Sequence, residues 1–215
     1  MSVRFTRPKT TIMVDLDDTI WNLVDHWIKE YNHLACQDDV YKSQVSSWDI
    51  EKCLGIEYPN AFWGLLDTDD FWNKITVDKG AKDALEYLNS REDVDLIICT
   101  DTYFKSAFPK LRRFFELFPF IEPRQLICCK EKWRLDCDVV VDDKPQTLDE
   151  FMNIVDSPLV CKIAQPWNKN ALAHKTFDKF DMKAVNWILE FADNAKDYQR
   201  RKEEARKAYA RYNNY

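Results

Sequence analysis

A chain of 215 residues with Leu, Ile, Val, Phe and Trp throughout can bury a full core, which excludes intrinsic disorder and predicts one domain with room for a sizeable insertion. Its net charge of −6 works against bulk attraction to nucleic acid or an anionic membrane, so stable nucleic-acid binding is not expected. Seven cysteines without a CxxC pair read as reduced core thiols, and neither a signal peptide nor an apolar run of membrane-spanning length is visible, which predicts a soluble, cytoplasmic protein.

The first predicted element is a buried strand, Thr10 to Val14, that runs directly into Asp15, Asp17 and Asp18. Side chains alternate in an extended segment, so Asp15 and Asp17 point to one side and Leu16 to the other. Two adjacent carboxylates repel unless a cation neutralises them, and an oxygen-liking ion such as Mg²⁺ is the natural complement. Trp21 to Leu34 follows as a helix, with Leu23, Trp27, Ile28, Tyr31 and Leu34 near helical spacing. His26, Glu30 and His33 share another face of it, read as solvated rather than metal-binding.

From Cys36 to Thr76 the pattern changes to short helical pieces carrying Tyr41, Trp48, Tyr58, Phe62, Trp63, Phe71 and Trp72. This predicts a small helical insertion over the end of the first strand, its aromatics forming either a local core or a wall for a flat apolar ring. Alternation then resumes with a helix at Asp78 to Asn89, a strand at Val94 to Cys99 ending in Thr100, and a helix at Phe104 to Leu117. Short strands follow at Leu126 to Cys129, at Val139 to Val141 before Asp142 and Asp143, and at Leu159 to Ala164. One long helix, Asp181 to Tyr215, ends the chain, packed by Val185, Ile188, Leu189 and Phe191 and charged towards its end.

Strands alternating with helices predict an α/β, Rossmann-like parallel sheet covered on both faces, with ligands at the carboxyl ends of its strands. That rule gathers Asp15, Asp17, Thr100, Asp142 and Asp143 at one edge. The expected division is a core of residues 1–20 and 76–215 with a helical cap at 21–75.

Four motifs in order, DLDDT after an apolar strand, a strand ending in Thr100, Lys132 upstream of a third strand, and Asp142–Asp143 at its end, resemble those of the haloacid-dehalogenase-like hydrolases. Lys132 lies ten residues before Asp142, and this spacing, the aromatic insertion, the segment Phe71 to Leu88 and the QPWN loop from Gln165 to Asn168 are similar to the 5′(3′)-deoxyribonucleotidases. The resemblance implies a Mg²⁺-dependent phosphatase acting on nucleoside monophosphates. Asp15 is the implied nucleophile and Asp17 the implied acid and base. Lys132 and the Thr100 hydroxyl would meet the phosphate, and Asp15, the Asp17 carbonyl, Asp142 and Asp143 would serve the metal.

By position, Trp48 and Trp63 look like the family's base-contacting aromatics. Trp167 and Asn168 are candidates to border the sugar, and Trp72 is a candidate for either core or wall. Asp18 stands where many members have Gly, and Asp101 where a small polar residue is commoner; both add negative charge beside an expected phosphate. The family commonly dimerises. The rival readings are a phosphatase of sugar phosphates or polynucleotide ends, and a non-catalytic binding protein, which would have lost the nucleophile or a metal ligand that this chain retains.

Overall fold

Five apolar or β-branched residues at Thr10–Val14 form β1, every one of them buried, and β1 is the strand around which the sheet is laid in the computed structural model. The structure describes residues 9–35, 38–155 and 157–212. Cys36 and the last three residues of the expected terminal helix lie outside them, as does the start of the chain at 1–8.

The other strands are β2 (Val94–Thr100), β3 (Leu126–Cys128), β4 (Val139–Asp142), β5 (Leu159–Ile163) and β6 (Lys175–Phe177). They pair in the order β3-β2-β1-β4-β5-β6, parallel throughout. Successive strands first step outward from β1 to β3 and then restart on its other side at β4. This reversal opens a crevice at the carboxyl ends of β1 and β4, the usual ligand position in such sheets.

Alternation along β1 sends Ile12 and Val14 into one apolar layer and Met13 into the other, which is why both faces must be covered. The larger layer includes α5 (Ala81–Ser90) and the first half of α8 (Met182–Tyr212). The smaller packs Met13, Cys99, Val140 and Val160 against Leu148 and Phe151 of α7 (Pro145–Met152). Gly80, at φ 88°, starts α5 where an added Cβ would meet the Asp181 Cβ at 3.3 Å, so a bare backbone lets the starts of α5 and α8 approach.

Between β1 and α5 the chain forms α1 (Leu23–Leu34), α2 (Ile50–Leu54), α3 (Pro59–Gly64) and α4 (Asp69–Asn73). Asp49 and Thr68 accept hydrogen bonds from the amides of Lys52 and Phe71 and so start α2 and α4. The short helices hold together through aromatics: Trp27 stacks on Phe62 at 4.0 Å and 8°, and Tyr31 meets Phe62 edge-on.

Three expectations need correction. His26 is buried, with its Nε2 2.9 Å from the Phe71 carbonyl and its ring against the Phe71 ring, so it belongs to the interior of the helical segment rather than to a solvated face. The sheet does not close at β5: β6 adds an edge strand whose sequence, KTF, has no apolar run to announce it. The helix α7, opened by Pro145, also falls in a stretch that the sequence left unassigned.

Candidate active site

The amide of Asp15 donates to the Val141 carbonyl at 2.9 Å, so the end of β1 is fastened to the end of β4. This brings Asp15 beside Asp142 and Asp143, and one carboxylate oxygen from each lies within 4.8 Å of the others. All three are buried. Lys132, in a short turn after β3, donates through Nζ to Asp15 Oδ1 and, at 2.7 Å, to Asp142 Oδ2. The Lys144 amide donates to Asp142 Oδ1 at 2.8 Å, and the Trp167 indole to Asp143 Oδ2 at 2.8 Å. Asp143 Oδ1 is buried with no hydrogen-bond partner.

Burial, with Asp142 and Asp17 adding to it against Lys132, pushes the Asp15 carboxyl up to about 7. Burial and the neighbouring Asp15 and Asp142 drive Asp143 well above its ordinary range. Burial also works to lower the Lys132 ammonium, but Asp142 and Asp15 override it and hold that cation above the usual lysine value. The cluster therefore carries more negative charge than one lysine offsets. Three hard oxygen donors at this spacing, one with a free buried oxygen, fit a divalent cation such as Mg²⁺.

Asp17 points into the same crevice but not into the triad. Its Oδ1 accepts from the Trp21 indole at 2.8 Å and its Oδ2 from Lys110 Nζ at 2.5 Å. Lys110 also donates to Thr100 Oγ1 at 2.8 Å and to the Asp101 carbonyl at 3.0 Å, and lies 5.7 Å from the Trp72 ring centroid. The expected place of Thr100 changes accordingly: it is fully buried, outside the cavity lining, and serves as a prop for Lys110. Among the described residues, Thr102, Tyr103 and Ser106 bring hydroxyl groups to the cavity lining.

Sequence reasoning missed Lys110. On α6 (Phe104–Leu117) the buried positions are Ser106, Pro109, Lys110 and Phe114, so a lysine occupies the inward face of an amphipathic helix. A charge on that stripe was the available signal.

The two anomalous aspartates each have a cation. Asp18 has φ 53°, the left-handed region where a Gly is easiest and Asp is tolerated. Its Oδ1 accepts from Lys42 at 2.8 Å, its Oδ2 from the Val24 amide at 3.1 Å, and its carbonyl from Gln165 at 2.7 Å. Burial raises its carboxyl to about 6 while Lys42 opposes the shift. Asp101 lies 3.4 Å from Lys144 Nζ, which also stands 5.3 Å from the Trp48 ring centroid.

A cavity of ≈ 630 Å³ opens above these groups. Asp15, Asp17, Lys110, Lys132, Asp143 and Lys144 line its core side, while Trp27, Trp48, Trp63 and Trp72 wall the helical side. Trp48 and Trp63 are thus both part of the wall, and Trp72 is both buried and part of it. Trp167 and Asn168 do not border the cavity. Both are buried behind it, Trp167 holding Asp143 and Asn168 donating to the carbonyls of Asp143 and Ile163 at 2.7 Å each.

A parallel sheet of this order, with a helical insertion after β1 and an acidic cluster at the ends of β1 and β4, defines a haloacid-dehalogenase-like hydrolase. Solved structures share the fold: a hydrolase of that superfamily from Geobacter sulfurreducens at TM-score 0.54, 10% identity, 86% of this chain and 97% of its own; and one from Bacillus subtilis, described as bound to magnesium, at TM-score 0.51, 14% identity, 86% and 100%. The family model of the 5′ nucleotidase, deoxy (pyrimidine), cytosolic type C proteins matches residues 9–179, and the chain belongs to that family of phosphoric monoester hydrolases. A 5′(3′)-deoxyribonucleotidase of Clostridium acetobutylicum is 32% identical over 143 residues, 66% of this chain and 78% of the relative. Another, of Bacillus subtilis, is 26% identical over 145 residues, 66% and 81%.

Proposed function

We propose that this chain hydrolyses nucleoside monophosphates to nucleoside and phosphate, acting in the cytoplasm with residues 21–75 as the cap over its site. The observation that carries this reading is a buried Asp15 touching Lys132 at the floor of a cavity whose opposite wall is four tryptophans. A phosphate fits the floor by charge and a base fits the wall by stacking, at about 1–3 kcal/mol for each stacked base.

Asp15 is the nucleophile: its carboxylate oxygen forms a bond to phosphorus as the bond to the sugar oxygen breaks, leaving an aspartyl-phosphate for water to cleave. Asp17 gives a proton to the departing sugar oxygen and then takes one from the attacking water. Trp21 and Lys110 hold its two oxygens in place for both steps. Lys132 sets a fixed positive charge beside the nucleophile, where it opposes the negative charge of the transferring phosphoryl group. Asp15, Asp142 and Asp143, with the carbonyl of Asp17, would hold Mg²⁺, which when bound supplies the remaining charge neutralisation on the phosphate oxygens. Trp167 and Lys144 orient two of those ligands.

The test is phosphate release from deoxy- and ribonucleoside 5′- and 3′-monophosphates and from sugar phosphates, with and without Mg²⁺. Release from the nucleotides that needs Mg²⁺ and disappears in Asp15→Asn, with circular dichroism unchanged, is expected. Release from sugar phosphates alone would reassign the tryptophans to packing, and full activity in Asp15→Asn would refute the mechanism.

A further inference from the structure

The helical segment meets the sheet side of the molecule along a seam beside the cavity. Lys42, in the short turn Lys42–Gln44, donates to the buried carboxylate of Asp18 at 2.8 Å and stands 5.1 Å from the ring centroid of Trp167. In the opposite sense, Lys144 of the sheet side stands 5.3 Å from the ring centroid of Trp48, and Trp48 meets Trp167 edge-on at 6.0 Å. Each side thus lays a lysine on a tryptophan of the other, and the two tryptophans touch.

The two sheet-side residues of this seam are the ones that hold carboxylates of the acidic triad. The Trp167 indole donates to Asp143 Oδ2 and the Lys144 amide to Asp142 Oδ1, both at 2.8 Å. Trp167 lies in the turn Pro166–Asn168, and Gln165, just before it, donates to the Asp18 carbonyl at 2.7 Å. The aspartate that pairs with Lys42 is therefore fastened to the same turn. From Trp48 to either carboxylate there is one intervening residue, by two separate routes. Trp63, in the same wall, has no such connection: it meets the sheet side at Tyr103, 5.7 Å away, and Tyr103 holds no member of the triad among the described residues.

We infer that Trp48 is a positioning residue for the metal site, so that docking of the helical segment and binding of a divalent cation strengthen each other. This rests on the reading of Asp15, Asp142 and Asp143 as ligands of Mg²⁺. A cation binds best to oxygens that already stand in place, and residues that orient its ligands set its affinity without touching it. With Trp48 present, the Trp167 ring and the Lys144 side chain are each restrained from the far side, and Asp143 and Asp142 with them. Without it the cation must itself order both carboxylates, at a cost in entropy. Linkage makes the effect mutual: whatever factor docking adds to cation affinity, the cation adds to docking. A nucleotide entering between wall and floor then meets a cation that is held most firmly when the segment is docked.

The experiment is calorimetric titration of the nucleotide-free protein with MgCl₂, in the wild type, Trp48→Leu, Trp48→Phe and Trp63→Leu. Hydrogen exchange across residues 42–54 is followed in the wild type with and without Mg²⁺. Trp48→Leu is expected to raise the Kd for Mg²⁺ by about threefold or more, less than the roughly 10–100-fold that follows removal of a ligand's direct partner. Trp48→Phe, which keeps a ring beneath Lys144, is expected to recover most of the affinity. Trp63→Leu, an equal loss from the same wall, is expected to leave it unchanged. In the wild type Mg²⁺ is expected to slow exchange across residues 42–54. An unchanged Kd in Trp48→Leu overturns the inference, as does equal weakening in Trp48→Leu and Trp63→Leu, which would mark a general loosening of the wall. Exchange that Mg²⁺ leaves unaltered in the wild type overturns it independently of any variant. A wild type that binds no Mg²⁺ overturns the reading of the metal site and the inference together.

Discussion

Lys110 joins three parts of the site through one ammonium, donating to Asp17, Thr100 and the Asp101 carbonyl. Lys110→Met leaves the methylene stem in place and removes the charge. It is expected to lower kcat about 10²–10³-fold with little change in KM, by analogy with the loss of a single positioned donor. Lys110→Arg should recover part of it, and steady-state kinetics on the best nucleotide would decide; a change confined to KM would assign the lysine to binding alone. The carboxylates were legible in the sequence because each follows a recognisable apolar strand, which fixes its place at the sheet edge whatever the side chains do. Lys110 and Lys144 were not, since a lysine on a helix or just before one is usually solvated, and only its neighbours in space distinguish the exception. For the same reason Trp167 is no more than a candidate to border the sugar in the sequence, beside a structural turn: its loop can be placed, but the direction of its ring cannot.

At the scale of elements, β5 and β6 are tied by a histidine. His174 accepts the Val160 amide through Nδ1 at 3.0 Å, while its own amide donates to the Val160 carbonyl at 2.9 Å. Burial lowers its pKa, and a protonated ring could no longer accept at Nδ1. As the pH falls, the unfolded chain takes up a proton that the folded chain resists. The contribution is complete above about pH 6.5, the ordinary value, and is lost as the pH falls towards the lower folded one. Urea midpoints at pH 7.5 and pH 5 are expected to differ less in His174→Gln than in the wild type, and an equal difference would show that another group carries the effect. Long apolar strands and periodic helices such as α6 could be read directly, whereas β6 forms because β5 presents a free edge, a property of the sheet and not of the three residues Lys175–Phe177.

The molecule as a whole places its crevice between the helical segment and the sheet, so an occupant that touches both sides stabilises their union. Asp15→Asn with Mg²⁺ and a nucleoside monophosphate at a hundredfold excess over Kd is expected to gain about 2.7 kcal/mol, or about 5–10 °C in melting temperature. Calorimetry that showed no shift, with nucleotide binding established separately, would place the ligand on the unfolded chain as firmly as on the folded one. No helix among the described residues is long and apolar enough to cross a membrane.

The central position of β1 has a consequence for synthesis on the ribosome. β1 is the first strand to emerge, yet one of its two partners, β4 (Val139–Asp142), is among the later ones, and Asp15 meets its acidic companions only when that strand has arrived. Until then the nascent chain carries a strand built to be buried along its whole length with one edge open, the kind of surface that chaperones retain and that aggregates when they do not. The helical segment that follows β1 at once, with its own aromatic core, can form early beside it, before β2 arrives to cover the first edge. A chain arrested before Val139 would thus present a folded helical segment attached to an unfinished sheet, and the acidic cluster would come together in a single late step.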